Sequence, residues 1–224
     1  MTSGIETINK KRPDGARRWI ICFLLVFCLS KGIDSGSNAL SYMFYRLQYK
    51  ISDTVQSSLS TISTVLMFVC QIAVVPFLSG FLKWRDTAIL TTAVVCNIIG
   101  LVMVAFNTKI WVLYIVYIFW MLNNTITTTS RSNLSKLMES VEIGKAFSVL
   151  GIIHALLPLA TKPAFSFLYK ATLETCPGIY MLLSASLYSL VVGLLIFTHF
   201  GLKKLDEKGS VPGQEELEKL NTDN

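Results

Sequence analysis

Apolar residues fall into six long runs separated by short polar connectors: Trp19 to Phe44, Ser57 to Leu82, Ala88 to Phe106, Ile110 to Ser130, Phe147 to Leu168 and Gly178 to Phe200. A helix needs about 20 apolar residues to cross roughly 30 Å of hydrocarbon. Lipid offers the backbone no hydrogen-bond partner, so each run predicts a membrane-spanning α-helix. The expected fold is an all-α membrane protein with six transmembrane helices, occupying residues 19–202. A basic cytosolic segment, 1–18, precedes the bundle, and a Gly, Pro, Glu and Lys rich tail, 203–224, is expected to be disordered.

Composition sharpens this. The 224 residues are 52% hydrophobic and 15% charged, with a mean hydropathy of +0.55, where soluble domains carry about 25% charge. A soluble enzyme, a disordered chain and a disulfide scaffold are thereby excluded. The net charge of +6 does not mark a nucleic-acid partner, because no basic helix is interleaved with stacking aromatics. Fourteen of the twenty Lys and Arg lie on the side of the N-terminus, and four (Arg46, Lys50, Lys109 and Lys170) lie opposite. The positive-inside rule then places both termini in the cytosol, as an even number of spans also requires. The apolar run after residue 18 is too long for a signal peptide and lacks a small-residue cleavage site.

Cys22, Cys28, Cys70 and Cys96 fall within spans and Cys176 stands alone in an outer loop, so no intrachain disulfide is expected. The sequons at Asn123 and Asn133 fall at membrane depth and in the cytosol. No HExxH, CxxC pair or GxxxxGK[ST] occurs, and neither catalysis nor a cofactor or metal is expected.

Ionisable side chains inside a span are costly and usually face a bundle interior or a water-filled cavity. In the first span Lys31, Asp34, Asn38 and Ser41 share one helical face. They form either a self-neutralising Lys31–Asp34 pair or the wall of a solvated cavity. In the fourth span Asn124, Thr128 and Arg131 share a face, with Arg131 about 30 Å along the helix, near the cytosolic interface. Arg131 is either a snorkelling residue at a helix C-terminus or a substrate or proton-coupling group. The fifth span carries His154 and Lys162 on one face, and His154 is either a proton relay or a hydrogen-bonded packing residue. The third span, with Asn97 its one strongly polar side chain, is expected to face lipid, and the hydroxyls of the sixth span, Tyr188 among them, read as packing.

The stretch RSNLSKLMESVEIGKAFSVLG from Arg131, followed by FSFLYKATLETCPGIYMLL, resembles solute carrier family 46, the proton-coupled folate transporter family of the major facilitator superfamily. The likeness rests on Arg131, Leu134, Ser135, Lys136, Leu137, Glu142, Gly144, Phe147, Ser148, Leu168, Tyr169, Ala171, Thr172, Leu173 and Gly178. It implies that the six spans correspond to helices seven to twelve of a twelve-helix transporter, built as a 3+3 inverted repeat with solute bound near the midplane between two halves. It also implies a cavity lined by spans one and four, the two already singled out by polarity. Arg131 matches the family's tenth-helix arginine, implicated in proton coupling and substrate affinity, while Ser35 stands where the folate transporter has a seventh-helix histidine.

The expected function is therefore the C-terminal half of a proton-coupled transporter of a polar, anionic solute, in the plasma membrane or a lysosome-like organelle. Arg131 and Lys31 would supply positive charge, Asn38, Asn124 and Thr128 hydrogen bonds, and His154 or Asp34 the coupled proton. The partners would be the solute and proton, the lipid bilayer, and a second six-helix half, either a missing N-terminal half or a second copy. The rival expectations are a truncated product or a six-span partner of another membrane protein, without transport of its own.

Overall fold

The computed structural model describes residues 16–81, 86–136, 138, 140–174 and 176–206. Most of the expected basic segment and of the expected disordered tail lies outside the described residues, as do Lys83 and Arg85. All six expected spans are helical and long and apolar enough to cross a membrane. The first helix is Ala16–Gln48 and the second is Asp53–Val69, continued by π-helical turns at Cys70–Val74 and Phe77–Phe81. The third is Asp86–Phe106; the fourth span is two helices, Ile110–Trp120 and Asn123–Lys136; the fifth is Ser140–Thr172 and the sixth Ile179–Asp206.

Local chemistry explains the starts and breaks. Ser52 caps the second helix, its hydroxyl accepting from the Val55 amide at 3.5 Å. Pro76, which has no N–H to give the ladder, lies between the two π turns. The fourth span breaks where its apolar run ends, and the ladder is bridged by three-residue bonds from Met121 to Ile118 at 3.4 Å and from Thr125 to Leu122 at 2.9 Å.

Span one packs on span five, span four on span two, and span three on span six. Each half of the bundle thus lends a helix to the other, the arrangement of a 3+3 inverted repeat and of a major facilitator half. The first and fifth spans meet at glycines one turn apart. A Cβ at Gly32 would lie 3.3 Å from Thr161 Cγ2, and one at Gly36 would run into the Phe165 ring. Backbones approach that closely only over small residues.

Burial corrects one expectation. The third span does not turn to lipid: 44% of its apolar window is buried, against 6% for span two and 11% for span five. Lipid tails and a protein interior are equally apolar, so hydropathy cannot say which helix occupies the middle. The core between spans one, three, four and six is filled by Phe23, Phe44, Tyr45, Tyr180 and Tyr188, all essentially inaccessible.

Candidate functional site

Asp34, midway along the first span, is the hub of a hydrogen-bond network joining four spans. Its Oδ1 accepts from the Tyr188 hydroxyl of span six at 2.7 Å and from Asn123 Nδ2 of span four at 3.3 Å. Asn123 Oδ1 in turn accepts from Asn97 Nδ2 of span three at 2.5 Å, and the Asn97 carbonyl accepts from Trp120 Nε1 at 3.3 Å. Lys31, one turn earlier and half-buried, is the cation whose charge acts on Asp34. A polar side chain at this depth must find partners inside the protein, and here each amide supplies one to the next.

The network forms the inner end of a cavity of about 270 Å³. Its walls are Ser37, Asn38, Ser41 and Tyr45 from span one, Gln56, Ser60, Ser63, Thr64 and Met67 from span two, and Tyr117 and Trp120 from span four. It extends from Asp34 toward the ends of spans one and two that lie away from the N-terminus. Asp34 is the only charged residue among its described lining residues.

The sequence-predicted residues divide between this cavity and another part of the bundle. Asp34 and Asn38 line the cavity; Lys31 does not. Asn124 is exposed, its amide 3.3 Å from Met67 Sδ, and Thr128 is exposed with its hydroxyl bonded back to the carbonyls of Asn124 and Thr125. Arg131 is exposed at a second cavity with Ser132, Ser135, Phe147, Leu150 and Gly151. Its guanidinium carbon lies 5.0 Å from the centroid of the Phe27 ring, and the exposed His154 meets the same ring edge-on at 6.3 Å. Spans one and four do meet through polar groups, but through Asn123 and not Asn124.

Asn97, Tyr188 and Asn123 were not foreseen as site residues. Asn97 and Tyr188 sat in spans read as lipid-facing and as packing, yet an Asn at the middle of an otherwise bare span was itself a signal. Asn123 lies directly after the break in span four, and so falls on a face that an unbroken helical count from Arg131 does not assign to it. Among the described residues no cluster of His, Cys, Asp or Glu is arranged to hold a metal.

No protein-family model matches the sequence. Among curated proteins the chain is similar to a probable peptidoglycan muropeptide transporter of Drosophila melanogaster, 26% identical over 195 residues that cover 85% of this chain and 37% of that protein. It is 31% identical over 130 residues to the proton-coupled folate transporter of Bos taurus, covering 54% of this chain and 28% of the relative. Against a lysosomal proton-coupled steroid conjugate and bile acid symporter of Mus musculus the figures are 30% over 120 residues, 50% and 26%. The chain spans well under half the length of the curated relatives it matches. Each of them bears the name of a transporter or symporter.

Proposed function

We propose, for a chain whose curated relatives are transporters of solute carrier family 46 and whose fold is a six-helix major facilitator half, that it is one half of a proton-coupled secondary transporter. The observation that carries this reading is the Asp34 network at the inner end of a polar cavity between spans one, two and four. Membrane-buried carboxylates facing such a cavity are the usual sites of proton relay in transporters. Asp34 carries the coupled proton, because it lines the cavity and His154 does not. Asn38 binds solute in the same cavity. Lys31 stands beside Asp34 as its charge partner.

Arg131, with Ser132 and Ser135 beside it, receives an anionic group of the solute at the second cavity, where a guanidinium can bind a carboxylate or phosphate through two parallel hydrogen bonds. Asn124 and Thr128 lie on the same exposed face of span four and take part only once a second half covers that face. Spans two and five, the least buried of the six, flank that second half, whether it is a separate N-terminal half or another copy. Rocking of the two halves about the midplane site exposes it to each side in turn. The termini face the cytosol, and the membrane is the plasma membrane or that of an acidic organelle.

Uptake into proteoliposomes tests the reading. The chain is reconstituted alone and with a complementary six-helix half, under an acid-outside gradient, with muropeptide, folate and a steroid conjugate as probes. Accumulation of one probe that collapses when the gradient is dissipated supports the reading. Equal accumulation with and without the gradient, or none with either preparation, contradicts it.

A further inference from the structure

The chemistry of the first cavity says what part of a solute it can hold. Two facing walls carry small hydroxyl and amide groups, Ser37 and Asn38 on span one and Ser60 and Ser63 on span two. None of these four side chains has a hydrogen-bond partner within the described molecule, although most Ser and Thr elsewhere in the spans bond back to their own helix. Gln56 adds a buried amide oxygen that accepts from nothing. A buried acceptor without a donor is unfavourable, so water or a solute belongs there.

Charge narrows the class further. No cation lines this cavity among the described residues, and its one charged side chain is the carboxylate of Asp34. An anionic group placed here would be desolvated with no cation among the described lining residues to pair with it. Groups that both donate and accept would instead pair with Ser, Asn and Gln in either direction. Tyr45, Tyr117 and Trp120 complete the lining with aromatic carbon, which suits the C–H faces of a ring bearing hydroxyls.

Resting on the transporter reading, we infer that this cavity binds an uncharged, hydroxyl-bearing unit of sugar type, and that any anionic part of the solute is held elsewhere. The cavity of about 270 Å³ lies at the lower edge of ligand-site volumes, enough for one ring and its substituents.

Thiol labelling at the cavity wall tests this. Ser63→Cys is introduced into the full chain, labelled with a water-soluble maleimide, and compared with the unsubstituted chain to subtract the native cysteines. Labelling at position 63 without solute establishes that the cavity is wet, on which the transporter reading depends; no labelling would count against that reading and this inference together. With labelling established, N,N′-diacetylchitobiose should slow it by about threefold or more at saturating concentration, and succinate should not. Protection by succinate, or no protection by the disaccharide, overturns the sugar inference and leaves the wet cavity standing. Ser60→Cys gives the same readout from the neighbouring turn, should Ser63→Cys fail to fold.

Discussion

The Tyr188 hydroxyl donates to Asp34 Oδ1 at 2.7 Å, tying the sixth span to the middle of the first. The same hydroxyl lies 3.4 Å from the Ser30 carbonyl, and the tyrosine ring is buried, so the contact is set by packing on both sides. Tyr188→Phe keeps that packing and removes only the donor. The loss of stability should be about 1 kcal/mol, the usual scale of a hydrogen bond between membrane helices. The pH profile of gradient-driven uptake should nevertheless move, since Asp34 loses its shortest hydrogen bond. A profile unchanged from the parent would show that Tyr188 only fills space.

Asn97 and Asn123 bond to each other and act as one unit. Replacing either by Leu leaves the other amide with an unused group, whereas replacing both leaves no orphaned amide, and the bond from Asn123 to Asp34 is lost equally in the Asn123 single and the double variant. Thermal unfolding in detergent should therefore show the double variant less destabilised than the sum of the singles, with a coupling of about 0.5–2 kcal/mol. Additive losses would mean that the bond contributes nothing net.

Two glycines in the spans should behave in opposite ways. At Gly36 an added side chain meets the Phe165 ring, while at Gly193 nothing lies within 4 Å. Gly36→Val should destabilise by about 1–3 kcal/mol through overpacking of the seam between spans one and five. Gly193→Ala should be neutral or stabilising by up to about 1 kcal/mol, the helix-propensity difference. Melting of the two variants side by side in one detergent checks this.

Run length alone made all six spans legible, because hydrocarbon thickness sets a minimum length for a crossing and backbone hydrogen bonding requires that crossing to be helical. Asp34 and Asn38 were legible as well, since a charged or amide side chain inside an apolar run needs an explanation whatever the fold. Which helices would be central was not: Asn97 belongs to a span whose apolar surface suits lipid and protein equally. Asn123 was missed in favour of Asn124 because one break, at Met121 and Leu122, resets the face of everything after it. Tyr188 was hidden among residues whose role depends on a neighbour distant in sequence.

Arg131 and the first cavity should be separable. The guanidinium lies at the second cavity against Phe27, and does not line the first. Arg131→Ala should weaken uptake of an anionic probe such as folate while leaving disaccharide protection of Ser63→Cys as it was. Loss of both together would mean that the two cavities form a single site.

Of the two side chains proposed to carry the coupled proton, Asp34 and His154, only Asp34 lines the polar cavity. The deciding measurement is proton influx into proteoliposomes, followed with an internal pH dye, for Asp34→Asn and His154→Gln beside the parent chain. Asp34→Asn should abolish solute-dependent acidification while the protein still inserts and melts cooperatively, and His154→Gln should retain it. Acidification preserved in Asp34→Asn and lost in His154→Gln would contradict the account.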